Sequence, residues 1–204
     1  LYQIHWPLPP ITIETWMQGM LDVYQAGLIR AVGVSNFDRA QTQRAYDTLV
    51  REGVPLTSNQ VEYHLLNRKI ELNGLLKHCQ GLGVTIIAYS PLASGILTGK
   101  YDASARFGPD DRRSRPVYVN FHGEKLERNL RIVAALRTVA AEVEKSVPAV
   151  ALRWILDQLP GSVAIVGIKN RLQLDSNLEV IDWTLPADAR ELLDDVSRTE
   201  YATS

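Results

Sequence analysis

Histidine, hydroxyl, amide and phenol side chains recur in this sequence at one kind of position, the end of a short apolar run. LYQIHWP (1–7) closes on His5 and Trp6, AVGVSN (31–36) on Ser35 and Asn36, and LTSNQVEY (56–63) carries Asn59 and Gln60. VTIIAYSPLASGILTGK (84–100) reaches Tyr89 and Ser90, then Pro91, Leu92 and a loop with Gly95 and Gly99, while SVAIVGIK (162–169) ends on Gly167 and Lys169. These groups can hydrogen-bond, stack against or place a charge beside a small bound molecule. The remaining histidines, His64, His78 and His122, show no spacing typical of a metal site, and no metal is expected.

The elements that must carry these groups follow from periodicity. Val84, Thr85, Ile86 and Ile87 form a nearly continuous β-branched run, the pattern of a strand buried on both faces in a parallel sheet. Proteins with parallel sheets meet their ligands at the carboxyl ends of the strands, where all five runs place their polar residues. Helical patterns separate them. Residues 12–26 space Ile13, Trp16, Met17, Met20, Leu21 and Tyr24 at three and four and stop at Gly27. Asp38 is placed to cap a second helix running to about Glu52, and a third is expected over 69–82, closed by Gly83. Residues 101–123 read as a long charged loop, either a solvated insertion or a lid over a bound molecule. Helical segments follow at 124–145, at 148–158 with Pro148 in the first turn, at 172–180 and at 186–198. The repeated βα order predicts an α/β fold, and the lack of linkers or low-complexity segments predicts one domain over 1–204.

The composition adds exclusions. In 204 residues, 46% are apolar and the net charge is -1, so no charge excess points to nucleic acid or an anionic membrane. No apolar run approaches the ~20 residues of a membrane helix. The single Cys79 rules out an intramolecular disulfide and reads as a packing residue, in keeping with a reducing compartment. No signal peptide is visible; the expected location is the cytoplasm, or a plastid if a transit segment lay ahead of Leu1.

In order and spacing, IHWP, GVSNF, NQVEYH, AYSPLASGILTGKY and GIKNRLQLDSN resemble the aldo-keto reductase superfamily across essentially the whole chain. The loop SPLASGILTGKY is similar to that of a branch that includes bacterial and plastid reductases and potassium-channel β-subunits. The resemblance implies a (β/α)8 barrel that binds NADPH across the carboxyl ends of its strands and reduces aldehydes or ketones. Only strands four to eight are matched here. Three βα units of ~30 residues each would precede Leu1, and with them an aspartate, the proton-donating tyrosine and a lysine that complete the family's catalytic set.

The same resemblance implies roles for individual residues. His5 matches the histidine that orients the substrate carbonyl, and Trp6 belongs to the substrate side. Tyr89 is similar to the aromatic that stacks on one face of the nicotinamide, and Ser35, Asn36 and Gln60 match the residues that bind its carboxamide, a group needing both donors and acceptors. Ser90, Pro91, Leu92, Ala93 and Gly95 belong to the loop whose backbone approaches the diphosphate, with Lys100 as a nearby charge. Gly167, Lys169, Gln173 and Asn177 match the adenosine segment, where Lys169 pairing with a 2′-phosphate favours NADPH over NADH. The chain departs from many members at Gln173, often arginine, and at Ser176, often glutamate. Tyr63 and the 101–123 loop suggest a partly aromatic substrate pocket, although the carbonyl compound itself is not specified and the oligomeric state is open. Three readings follow: an NADPH-dependent aldehyde or ketone reductase, an NADP-binding regulatory or shortened protein without the proton donor, or a partial barrel whose two unpaired edges keep it from folding alone.

Overall fold

The computed structural model describes residues 1–202, with side chains through Arg198. Among them are five strands, β1 (Tyr2–Ile4), β2 (Val32–Ser35), β3 (Leu56–Glu62), β4 (Thr85–Tyr89) and β5 (Val163–Ile165). Eight α-helices accompany them: α1 (Ile13–Gln25), α2 (Arg39–Val50), α3 (Lys69–Leu72), α4 (Leu75–Leu82), α5 (Gly123–Glu142), α6 (Val147–Gln158), α7 (Arg171–Leu178) and α8 (Ala187–Ala202). The strands form one sheet in chain order, β1-β2-β3-β4-β5, and the pairs from β1 to β4 are parallel. Chain contacts divide the protein into two compact units. The first comprises Leu1–Glu62, Lys69–Tyr89 and Gly161–Val163, and the second comprises Tyr63–Arg68, Ser90–Pro160 and the residues from Ala164 onward.

In the first unit, local chemistry starts and stops α1 and α2 close to where the sequence predicts. The Thr12 hydroxyl accepts from the Thr15 amide to cap α1. Asp38 caps α2 in a reciprocal box, its carboxylate accepting from Gln41 N at 2.8 Å while the Gln41 side-chain oxygen accepts from Asp38 N at 2.9 Å. The helix expected over 69–82 is instead two, α3 and α4. Gly74 adopts φ 77, a left-handed conformation that interrupts the helix, and the Asn73 carboxamide oxygen accepts from the Leu75 amide to start the second. The core lies between the helices and the outer face of the sheet, where Met17, Leu21, Ala45, Leu49, Val32, Val34, Ile86 and Ala88 are all buried. Cys79 is part of this core, and burial pushes its thiol up to about 11, leaving it protonated at neutral pH.

The second unit is organised by α5, α6 and α8. Ser146 caps α6 with Pro148 in its first turn, and Trp154, Ile155, Leu136 and Leu193 are completely buried. A buried ion pair closes this core: the Asp194 carboxylate accepts from Arg68 Nη1 at 2.9 Å, Trp154 Nε1 at 3.0 Å and Gln158 Nε2 at 2.7 Å. The Arg68 guanidinium also lies over the Trp154 ring, 4.9 Å from its centroid. Tyr63, expected near the substrate, is fully buried and stacked on Trp154 at 5.4 Å. Its apolar ring is packed into the core, so it does not line a pocket. Along 101–123, Tyr101, Phe107 and Phe121 meet edge to face, with Arg113 over two of the rings and bonded to Asp111. The loop is therefore held by its own aromatic cluster, between two short 3-10 turns at Arg112–Ser114 and Val119–Phe121 and the start of α5.

Candidate functional site

The period of two in a strand decides which residues share a face. Register pairs Gln3 with Gly33, Gly33 with Ser58, Ser35 with Gln60 and Glu62 with Tyr89. One sheet face of the first unit therefore collects Gln3, Gly33, Ser35, Ser58, Gln60, Glu62 and Tyr89, with His5 following β1 at the same parity. Asn59 falls on the opposite face. Its Nδ2 donates to Phe37 O at 2.9 Å and Thr42 Oγ1 at 3.1 Å, so it anchors the start of α2.

The predicted residues of this unit form one hydrogen-bonded group. Asn36, at φ 60, donates from Nδ2 to His5 O at 3.2 Å and to Ser35 Oγ at 3.1 Å. The Tyr89 hydroxyl donates to Asn36 Oδ1 at 3.0 Å. The Gln60 carbonyl accepts twice, from Ser35 Oγ and from the Asn36 amide, each at 2.9 Å. Burial, with the Glu62 carboxylate adding to it, pushes the Tyr89 phenol above its ordinary 10.0, so it stays a neutral donor over the physiological range. His5 and Trp6 are exposed at the end of β1, their rings 6.0 Å apart.

Three neighbours of this group were not singled out from the sequence: Gln3, Ser58 and Glu62. The signal available was their parity with His5, Gln60 and Tyr89, a polar residue every second position inside an otherwise apolar run. Gln3 Nε2 donates to Val34 O at 3.2 Å and Ser58 Oγ at 3.3 Å, and Gln3 Oε1 accepts from Gln60 Nε2 at 3.0 Å.

The second unit holds the remaining candidates. Ser90, Ala93, Ser94 and Gly95 all have positive φ, at 51, 47, 57 and 98. This folds the loop tightly on itself: Ala93 N donates to Ser90 O and Gly95 N to Leu92 O. The Ala93 and Gly95 amides, two of those expected to face a phosphate, are thus engaged within the turn. Lys100 Nζ lies 4.0 Å from the point a Cβ on Gly95 would occupy. Pro91 is buried, and Arg137 donates to Gly99 O. Farther along, Gly167 and Lys169 are exposed. Asn170, not anticipated, caps α7 by accepting from Gln173 N, while Gln173 Oε1 accepts from Lys169 N at 2.8 Å. Ser176 Oγ donates to Ser146 Oγ at 2.8 Å. Asn177 is 8% exposed, and its Nδ2 has no hydrogen-bond partner among the described residues.

A nicotinamide dinucleotide can be tested against these atoms. Asn36 Oδ1 accepts one hydrogen bond and Gln60 Oε1 accepts none among the described residues, so both can receive the two hydrogens of a carboxamide NH2. The carboxamide oxygen needs a donor, which the Ser35 hydroxyl supplies by turning from Gln60 O. The orphaned Asn177 donor suits an adenine ring nitrogen. Within the first unit, Ser35, Asn36 and Gln60 fit the carboxamide of that group. Among the described residues, no set of three or more His, Cys, Asp or Glu side chains could hold a metal ion, and no helix is long and apolar enough to cross a membrane.

A parallel α/β sheet in chain order, with helices between its strands, is an arrangement of the barrel type. The chain belongs to the aldo/keto reductase family, whose model matches residues 1–198. It is 38% identical over 97% of its length to an uncharacterized oxidoreductase of Mycobacterium tuberculosis, covering 58% of that protein. It is 34% identical over 91% of its length to the chloroplastic pyridoxal reductase of Arabidopsis thaliana, covering 49% of it. Among solved structures, a glycerol dehydrogenase from Gluconobacter oxydans superposes with a TM-score of 0.85 at 32% identity, over 97% of this chain and 58% of that one. The chain thus spans about half to three fifths of the length of these relatives. Its fold is that of part of a (β/α)8 barrel.

Proposed function

We propose that this chain is the cofactor-holding part of an NADPH-dependent oxidoreductase domain that reduces an aldehyde or ketone. The observation that carries this reading is the hydrogen-bonded group of Ser35, Asn36, Gln60 and Tyr89, placed beside His5 on one sheet face and offering unfilled acceptors to a carboxamide. When bound, NADPH supplies the hydride. Ser35, Asn36 and Gln60 hold the carboxamide edge and so fix the plane of the ring it is attached to. Tyr89, tied by its hydroxyl to Asn36, offers its ring as a stacking surface. His5, exposed at the end of β1, directs an N–H to the substrate carbonyl oxygen and stabilises the negative charge that develops there. Ser90 and Lys100 serve the diphosphate, and Lys169 the 2′-phosphate, which supports NADPH over NADH. Gly167, Gln173 and Asn177 complete the adenosine segment. The partner is a small carbonyl compound, and Trp6 is the aromatic that would meet it.

The test is titration of the chain with NADPH, followed by quenching of tryptophan fluorescence, together with turnover of 4-nitrobenzaldehyde. Saturable binding that Asn36→Ala weakens supports the cofactor assignment. Turnover lost in His5→Ala supports the catalytic one. Absence of binding by the folded chain would sink this reading. Binding without turnover, with turnover gained once the βα units expected ahead of Leu1 are joined to the chain, would leave the cofactor role here and the proton donor in those units; no turnover even then would point to an NADP-binding protein that is not itself catalytic.

A further inference from the structure

The amide of Gln60 can lie in its plane two ways, and the two ways present opposite chemistry to a ligand: an oxygen that accepts or an NH2 that donates. What decides between them is a residue that touches no ligand in the reading above. Gln3 Nε2 lies 3.2 Å from Val34 O, a backbone carbonyl that can only accept, so the Gln3 amide is locked with its NH2 on that side. Ser58 Oγ, 3.3 Å from the same nitrogen, agrees with this orientation. Gln3 Oε1 must then face the other way, where it meets Gln60 Nε2 at 3.0 Å. The Gln60 NH2 is thereby drawn toward Gln3, and Gln60 Oε1 is left without a donor among the described residues.

We infer that Gln3 is a positioning residue that fixes Gln60 as a hydrogen-bond acceptor, so that the site selects a carboxamide NH2 over a group of the same shape that lacks N–H. The relay depends on Gly33 as well. A Cβ there would stand 2.5 Å from Ser58 Oγ and 3.0 Å from Gln3 Cγ, so only glycine lets the two side chains meet. This inference rests on the nicotinamide reading for its ligand, but the orientation of Gln60 is a property of the chain alone.

Two measurements test it on the full chain. In the first, affinities are compared for NADP and for its 3-acetylpyridine analogue, in which a methyl replaces the NH2 of the carboxamide. The unmutated chain is expected to favour NADP by about 5-fold, the worth of one neutral hydrogen bond, and Gln3→Met to lose most of that preference by freeing Gln60 to rotate. An unchanged ratio in a Gln3→Met chain of native circular dichroism would overturn the proposal. In the second, the side-chain amide protons of Gln60 are followed by 1H–15N NMR without any dinucleotide. Slow exchange of one proton in the unmutated chain, lost in Gln3→Met, is expected; identical exchange in both overturns the proposal. If the unmutated chain binds neither dinucleotide, the cofactor reading fails, and the Gln60 resonances still decide the role of Gln3.

Discussion

Gly33 and Ser58 face each other across β2 and β3 with no room for a methyl group between them: a Cβ on Gly33 would lie 2.5 Å from the Ser58 hydroxyl. Real Cβ contacts do not come that close, and the next two atoms, on Gln3 and Leu1, are 3.0 and 3.1 Å away. Gly33→Ala therefore has to move a buried serine or the strand that carries it. We predict a loss of about 1–3 kcal/mol, the usual range for overpacking, read as a lower urea midpoint. Gly33→Ala with Ser58→Ala should recover part of it, since the closest clash is then removed.

Tyr89 and Asn36 are joined by a bond in which the phenol must donate. Because burial, with help from Glu62, raises the Tyr89 pKa, its absorbance change near 295 nm should appear above the 10.0 of a free tyrosine. The sign for stability follows: the neutral phenol is favoured by the fold, so its contribution is whole below pH 10 and falls as the pH rises through the shifted value. Glu62→Gln should bring the titration part of the way back, burial remaining the larger cause. Tyr89→Phe leaves Asn36 Oδ1 without its donor and should weaken NADPH binding several-fold while leaving the fold intact.

Asp194 gathers three donors, from Arg68, Trp154 and Gln158, in the core of the second unit. The Arg68 side chain is 3% exposed, so removing Asp194 takes a carboxylate from beside a buried charge. Asp194→Ala should cost about 3–5 kcal/mol, seen as a drop in thermal midpoint together with loss of the buried tryptophan's fluorescence signature. Arg68→Met with Asp194→Leu, which removes both charges, should cost far less. Equal losses in the two variants would mean that packing volume rather than the charge is what matters there.

Glu14 on α1 and Arg44 on α2 form a two-pronged ion pair at 2.7 and 2.6 Å. The hydrogen bonds from Arg44 hold the Glu14 carboxyl at about 2, down from 4.5. A lowered carboxyl pKa contributes stability that is present above pH 4.5 and is lost as the pH falls toward 2. Both side chains are about half exposed, so salt should screen the pair. Carbon-detected NMR titration of Glu14 should give a midpoint near 2 at low ionic strength, rising with added salt and moving most of the way toward the ordinary value in Arg44→Gln.

Much of the architecture is written in the local chain. Asp38 with Gln41, Thr12 and Ser146 with Pro148 place helix starts through bonds made within four residues, and β-branched runs ending in polar residues place β2, β3 and β4. Those signals are short in range, which is why they can be read without the fold. The same locality explains the failures: the helix expected over 69–82 breaks because Gly74 takes a left-handed turn that periodicity does not register, and Tyr63 looks like a pocket aromatic until Trp154, ninety-one positions away, stacks on it.

The sequence by itself determined the family, the order of βα units and the identity of His5, Ser35, Asn36, Gln60 and Tyr89 as site candidates, because each lies at the end of a recognisable run. Only the tertiary structure decided how they are joined. Register between strands far apart in sequence sets Gln3 against Gln60 and sends Asn59 to the other face, and a one-residue slip in that register would reverse both. Which way an amide points, and which loop amides are already engaged, depends on partners brought together by folding, and no reading along the chain contains them.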